Sequence, residues 1–159
     1  MAHWFPRSPF GRNFDFAKKY LAIEQTRLGD HLKVAFDIAS DSLDASVPSM
    51  LLQPLLENAV RHGVGRLRQG GIITIQAAVE NDRLRIMVRN SGPRRRADID
   101  SEESRRGIGL TNTTERLKRV YGAASEFTLH WPESGGCELI LQVPFKKIAE
   151  RVEEESCAL

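Results

Sequence analysis

A polar face on the segment 51–62, LLQPLLENAVRH, carries residue types that could hold a phosphate group and a metal ion. The apolar spacing of the segment predicts a helix. Residues one, four and five positions apart share one face of a helix, and the other faces of this predicted helix are apolar. The amide oxygen of Asn58 is a ligand that Mg²⁺ accepts beside phosphates and waters, and Arg61, one turn later, could pair with a phosphate. A merely solvated face explains this helix alone equally well. The four polar residues are Glu57, Asn58, Arg61 and His62.

Two glycine-containing segments could supply the rest of a nucleotide site. Asn90-Ser91-Gly92 follows a predicted strand, and its glycine would let a ligand approach the backbone closely. Gly107 and Gly109 stand just before a predicted helix, where free backbone N–H groups and the helix dipole could face an anion. Between these segments, residues 93–106 are charged and aperiodic, which predicts a mobile loop.

Three helices are predicted from the spacing of apolar residues. The first spans Phe14 to Asp30, with Phe16, Tyr20 and Ile23 on one apolar stripe and Ala17, Leu21 and Leu28 close beside it. The second begins near Ser49 and is buried, with Pro54 either in its first turn or at a kink. The third runs from Leu110 to Tyr121 and stops before Gly122.

Five strands are predicted between these helices. They are LKVAFDIA (32–39), IITIQAAVE (72–80), RLRIMVRN (83–90), EFTLHW (126–131) and CELILQVPF (137–145). Asn81-Asp82 and PESGG (132–136) suit the turns of two hairpins. The order of elements predicts an α/β two-layer sandwich, with a mixed sheet covered by helices on one face.

Composition limits the classes of partner and compartment. The chain has 159 residues, enough for one domain, and its 23 Lys and Arg against 21 Asp and Glu give a formal charge of +2, which does not call for nucleic acid or an anionic membrane. The two cysteines, Cys137 and Cys157, form no disulfide or metal-binding pattern and suit a reducing compartment. No apolar stretch is long enough to cross a bilayer, and the N-terminus lacks a secretion signal, so we expect a soluble cytoplasmic fragment without direct membrane insertion.

Four ordered motifs resemble the GHKL ATPase superfamily, and in particular the LytS-like bacterial sensor histidine kinases. LLQPLLENAVRHG (51–63) resembles the N box, RRGIGLTNTTERLKRVYG (105–122) the second glycine box with its helix, and SGGCELILQVPF (134–145) the closing hairpin. FAKKYLAIEQTRLGDHLKVAFDI (16–38) resembles the segment that follows the phosphoacceptor helix. The resemblance implies a Bergerat-type ATP-binding fold, with a mixed, mostly antiparallel sheet, over residues 14–146. Residues 1–13 would be an N-terminal extension, 93–106 the ATP lid, and 147–159 a tail.

The resemblance also implies roles for individual residues. Asn58 would coordinate Mg²⁺, Arg61 would reach the phosphates of ATP, and Glu57 would orient water or metal as a catalytic residue. His62 would line the nucleotide near its adenine and ribose. The charges of the loop 93–106 fit either a solvated surface loop or one whose Arg105 or Arg106 folds onto the triphosphate when ATP binds. The residues that would close over the phosphates are Gly107, Ile108, Gly109, Leu110 and Thr111.

The adenine-reading motif departs from the family pattern. Most of the superfamily has an Asp followed by two spaced glycines, whereas this chain has Asn90, Ser91, Gly92, Pro93 and Arg94. A carboxamide can accept from the exocyclic amine of adenine and donate to N1, so Asn90 and Gly92 would still bind adenine. If the amide rotates, it could also pair with guanine, and we hypothesise that Asn90 relaxes discrimination between ATP and GTP.

The phosphoacceptor is expected on an upstream segment that these residues do not include. His3 lacks the surrounding motif, and His31 and His130 are interpreted as structural or exposed. The implied function is the ATP-binding catalytic domain of a two-component sensor histidine kinase. Its partners would be an upstream His-containing dimerisation segment and a response regulator. Two alternatives are an anti-sigma-factor-type serine kinase of the same superfamily and a degenerate, non-catalytic binding module.

Overall fold

A five-stranded sheet with helices on one face forms the body of the chain. The computed structural model describes residues 6–94 and 102–148, with the backbone alone for 102–108. The helices are α1 (Phe10–Leu28), α2 (Leu52–His62) and α3 (Glu102–Tyr121). The strands are β1 (Arg7–Pro9), β2 (Leu32–Ile38), β3 (Ser46–Pro48), β4 (Gly71–Glu80), β5 (Arg83–Asn90), β6 (Glu126–His130) and β7 (Cys137–Pro144).

The strand order of the main sheet is β2-β4-β5-β7-β6. Only β2 and β4 are parallel, and the other neighbours are antiparallel, which confirms the predicted mixed sheet. β1 and β3 form a separate two-stranded sheet that the sequence analysis did not predict. The first residues of the predicted tail are ordered, because Lys147 pairs with Ala45 and the Ile148 N–H donates to the Asp44 carbonyl.

Alternation along the central strands separates a helix-facing side from an open side. Ile73 and Ile75 of β4 and Ile86 of β5 are fully buried against the helices, whereas Ile72, one position along, is 41% exposed. The β4–β5 turn is the predicted one, since Asn81 and Asp82 both have positive φ, as a two-residue type I′ hairpin requires. Burial of the helix-facing side supplies most of the hydrophobic stabilisation.

α2 has the predicted buried character but begins later than predicted. Its first helical residue is Leu52 rather than one near Ser49, and Pro54 therefore lies in the first turn, where a missing backbone N–H is tolerated. Leu55, Leu56 and Ala59 are buried against the sheet. The polar positions between them remain on the other side of the helix.

α1 starts earlier and is rotated relative to the prediction. It begins at Phe10, not Phe14, so the predicted boundary between an extension and the domain at residue 13 falls inside this helix. The buried stripe is Phe10, Asn13, Ala17 and Leu21, while Phe16 is 50% and Ile23 67% exposed. The predicted stripe was wrong for Phe16 and Ile23, because Phe10 and the polar Asn13 determine which face packs inward, whereas Tyr20 is partly buried against the core.

α3 also starts earlier than predicted. It begins at Glu102 rather than Leu110, so Gly107 and Gly109 lie inside the helix and not ahead of its first turn. The Thr113 hydroxyl donates to the Gly109 carbonyl at 2.9 Å, as expected within a continuous helix. Of the predicted loop 93–106, residues 95–101 lie outside the described part, and 102–106 are helical.

Asn13 joins α1 to the start of α2. Its side chain is 3% exposed, accepts a hydrogen bond from the Leu51 N–H at 2.7 Å, and donates to the Ser8 hydroxyl at 3.1 Å. Leu51 is the N-cap residue of α2, whose first N–H groups have no partner within the helix. Asn13 therefore holds the start of the helix that carries Asn58.

Replacing Asn13 with alanine will lower the free energy of unfolding by about 2 kcal/mol, because the buried Leu51 N–H and Ser8 hydroxyl lose their partner. Urea denaturation checks this. Asn112, which is exposed on α3, provides the control, and Asn112→Ala should change the unfolding midpoint little. Equal effects of the two substitutions would contradict a special role for Asn13.

Candidate functional site

The polar face of α2 lies at the C-terminal half of that helix. Glu57 is exposed and accepts a hydrogen bond from the Gln53 amide at 3.2 Å, and Asn58 is half-buried. Arg61 is exposed in the last turn, where a positive charge also complements the helix dipole. The Asn58 amide makes no hydrogen bond to any described residue, so it can bind a ligand.

His62, at the end of α2, is exposed over much of its surface, but its pKa is lowered. Burial lowers the pKa of its imidazole below 6.5, and the neighbouring Arg66 and Arg61 guanidinium groups lower it further. One Arg66 nitrogen lies 3.3 Å from His62 Nδ1, which fits an imidazole that accepts at that nitrogen. At neutral pH His62 would contact a ligand as an uncharged ring.

Tyr20 of α1 belongs to the same region, although the sequence analysis assigned it only to an apolar stripe. Burial raises the pKa of its phenol, as do the carboxylates of Glu24 and Glu57, while the Arg27 and Arg61 charges lower it. The charged groups of α2 are therefore close enough to act on the Tyr20 ring. No motif signalled this, since it depends on how α1 packs against α2.

Asn90 ends β5 and points to the helix side of the sheet. It is 6% exposed, and its Nδ2 donates to the Ser91 carbonyl at 3.0 Å. Because a carbonyl can only accept, this bond identifies the nitrogen end of the amide. The Asn90 oxygen has no hydrogen-bond partner among the described residues, and it is the atom left to accept from a ligand.

Glycines from three elements surround Asn90. An added Cβ on Gly63, which follows α2, would overlap Asn90 Nδ2 and the Ala59 carbonyl oxygen. A Cβ on Gly92 would lie 3.2 Å from the Cα atoms of both Gly63 and Gly136. Gly136 has a φ of 82°, and its Cβ would overlap the Asn90 carbonyl oxygen. Only residues without side chains allow β5, α2 and the β6–β7 turn to meet here.

The remaining predicted residues belong to α3. Leu110 is 2% exposed and packs in the hydrophobic core, and Gly109 lies next to the first turn of α2, where a Cβ would be 3.7 Å from the Pro54 Cβ. Thr111 is exposed. Gly107 and Ile108 are helical, and the side chains of residues 105–108 lie outside the described part. The interpretation that these glycines precede a helix N-terminus was wrong, and their contact with phosphate stays a prediction.

The side chains near Asn58 fit a Mg²⁺ ion that takes most of its oxygen ligands from phosphates and water rather than from the protein. In residues 6–94 and 109–148, no group of three or more His, Cys, Asp and Glu side chains could hold a metal ion. Mg²⁺ needs few protein ligands when phosphates and waters complete its octahedron, and an amide oxygen can be one of them. The half-buried Asn58 amide fits that arrangement.

Arg66→Gln will raise the pKa of His62 toward 6.5, because it removes a positive charge beside the ring. Titration of the imidazole signals by NMR measures this. Arg68→Gln, at an exposed arginine that does not act on His62, should leave its pKa unchanged. An unchanged His62 pKa in Arg66→Gln would contradict the assigned electrostatics.

No protein-family model matches the chain. It is 36% identical over 132 residues to the sensor histidine kinase YpdA of Escherichia coli, a match that covers 80% of this chain and 23% of the relative. It is 25% identical over 148 residues to the sensor protein LytS of Enterococcus faecalis, covering 87% of this chain and 25% of the relative. The chain thus spans about a quarter of the length of these curated relatives.

Solved structures show the same fold. The catalytic domain of the histidine kinase ThkA superposes with a TM-score of 0.64 at 15% identity, over 91% of this chain and 99% of that domain. Full-length ShkA in complex with AMPPNP gives a TM-score of 0.64 at 17% identity, over 94% of this chain and 33% of ShkA. The predicted α/β sandwich is confirmed.

In the described part of the chain, no helix is long and apolar enough to span a membrane.

Proposed function

The chain belongs to the sensor histidine kinases, as one of their GHKL-type ATPase domains, and on this premise we propose that it binds Mg²⁺-ATP and presents the γ-phosphate to a histidine on an upstream segment. The observation that carries the proposal is the buried Asn90 amide, whose oxygen is unpartnered on the side of the sheet that α2 covers. It offers a hydrogen-bond acceptor to the exocyclic amine of adenine.

α2 supplies the groups for the other end of the nucleotide. Gly63 directly follows this helix and packs on Asn90. The last turns of α2, which carry Asn58 and Arg61, therefore lie next to Asn90. Asn58 would hold Mg²⁺, and Mg²⁺ would neutralise phosphate charge in the transferring group. Arg61 would pair with a phosphate, the neutral His62 would line the nucleotide, and Glu57 would orient the attacking group. Gly92, Arg105 and Arg106 would complete the enclosure.

In the proposal, other polypeptide segments supply the histidine that accepts the phosphoryl group and the response regulator that takes it next. Phosphoryl transfer requires chiefly positioning and charge neutralisation, so this domain contributes the ATP half of the reaction. The acceptor imidazole would come from a dimeric helical segment of the same kinase, and a response regulator would take the phosphoryl group. The similarity to sensor histidine kinases supports both partners.

The proposal is tested by mixing this chain, labelled ATP and Mg²⁺ with a separately expressed upstream His-containing domain. We expect acid-labile label on that domain and none with Asn58→Ala. Acid-stable label on a protein hydroxyl would instead support the serine kinase alternative. ATP binding without transfer to any acceptor, or no binding at all, would support the non-catalytic module.

Wild-type protein will prefer ATP to GTP by about tenfold or more, contrary to the hypothesis of relaxed discrimination. Guanine needs a donor where the Asn90 oxygen stands, and rotating the amide would break the bond to the Ser91 carbonyl and set two oxygens together. Competition binding measures this preference. Asn90→Ala removes the acceptor and should reduce the preference, whereas equal displacement of ATP by GTP from the wild-type protein would contradict the anchored amide.

A further inference from the structure

A cleft on the open face of the sheet reaches Asn90, Ser91 and Gly92 at the end of β5. Its volume is about 560 Å³, within the range of small-molecule sites. β4 and β5 place Ile72, Thr74 and Arg89 on this face, opposite the buried Ile73 and Ile75. Asn90 and Ser91 are consecutive in an extended chain, so their side chains point to opposite faces, and Ser91 Oγ faces the cleft side, where it accepts from the Ile72 N–H at 3.1 Å.

Arg89 is the charged group of this cleft and it has no partner there. Its guanidinium makes no hydrogen bond, ion pair or ring contact with a described residue. Glu138 is its cross-strand neighbour, but the Glu138 carboxylate lies 3.6 Å from His130 Nδ1 and does not line the cleft. An unpaired guanidinium in a concave site favours a planar anion, which it can bind through two parallel hydrogen bonds.

The other walls divide into a polar and an apolar side. Thr74 and Ser134 offer hydroxyl groups that make no hydrogen bond with the described residues, and Leu67 and Ile72 form the apolar side. Ile72, a large aliphatic residue at the start of β4, is 41% exposed. A ligand with an apolar body and one anionic group would cover Ile72 and pair with Arg89 at once.

We propose that this cleft binds a small organic carboxylate, with the carboxylate on Arg89 and the apolar group against Leu67 and Ile72. The cleft adjoins the proposed nucleotide site, since Asn90 and Gly92 line both, but Arg89 and Ile72 lie on the face of the sheet opposite the Asn90 side chain. Glu138 limits its affinity, since a carboxylate on the adjacent strand repels a second anion nearby.

The test is an NMR titration of the nucleotide-free protein with hexanoate, 1-hexanol and inorganic phosphate. Hexanoate will give saturable shifts at the Arg89 and Ser91 amides, and both 1-hexanol and phosphate will bind about tenfold more weakly, because each lacks one of the two contacts. Arg89→Met will weaken hexanoate binding by about tenfold, and Glu138→Gln will strengthen it.

Arg85→Met is the matched control, because Arg85 lies on the same strand and face but does not line the cleft. It should leave hexanoate binding unchanged. The spectra of the variants report directly whether they are folded. Absence of saturable shifts, binding as tight for phosphate or 1-hexanol as for hexanoate, or equal losses in Arg89→Met and Arg85→Met would overturn the proposal.

Discussion

Replacing Gly63 with alanine will abolish detectable ATP binding and lower the free energy of unfolding by about 2 kcal/mol. The new Cβ would overlap both Asn90 Nδ2 and the Ala59 carbonyl oxygen, so either the Asn90 amide or the end of α2 must move. Asn90 would lose its bond to the Ser91 carbonyl and the orientation of its oxygen. Calorimetric titration with ATP and urea denaturation measure the two effects.

Two further variants separate local overlap from a general sensitivity to glycine replacement. In an Asn90→Ala background, Gly63→Ala should destabilise less, because one of its two clashes is gone. Gly109→Ala places its Cβ at an ordinary contact distance of 3.7 Å from Pro54 inside a helix and should not lower stability. Additive effects at Gly63 and Asn90 would contradict the packing inferred here.

Asn58→Ala will weaken magnesium-dependent ATP binding by about tenfold or more while leaving the fold intact. Asn58 is half-buried on the polar face of α2, and its amide makes no hydrogen bond to the described residues, so its removal leaves no buried group unsatisfied. Equilibrium binding measured at several Mg²⁺ concentrations checks this, because loss of a metal ligand reduces the affinity gained from added Mg²⁺.

Gln76→Ala is the control for a lost amide, since Gln76 lies on the open face of the sheet and donates to Asp37 there. It should bind ATP as wild type does. Glu57→Gln should also bind ATP normally but slow phosphoryl transfer, if Glu57 orients the attacking group. An Asn58→Ala variant that gains as much affinity from Mg²⁺ as wild type would show that this residue does not hold the metal.

Local signals were sufficient for much of this fold. Asn81-Asp82 between two alternating segments predicted the β4–β5 hairpin, because few residue pairs adopt the positive φ angles that a two-residue turn needs. Paired leucines predicted the buried face of α2, and Pro54 restricted where the helix begins. The polar face with Asn58 followed from the same periodicity.

The features that the sequence analysis missed depend on distant contacts. Asn13 is buried because the Leu51 N–H, 38 residues away, requires an acceptor, and this turned α1 relative to the predicted stripe. In the sequence, Gly63 looks like an ordinary helix stop. Its close contact with Asn90 exists only in the folded chain, where β5 lies against the end of α2. Glycines usually end helices, so the pair at Gly107 and Gly109 favoured a helix start after them, whereas α3 continues through both.

The most direct test of the central claim is the equilibrium binding of ATP to the wild-type chain, with Mg²⁺ and with excess EDTA. We expect one saturable site per chain, with binding that weakens when the metal is removed. No saturable ATP binding in the presence of Mg²⁺ would contradict it.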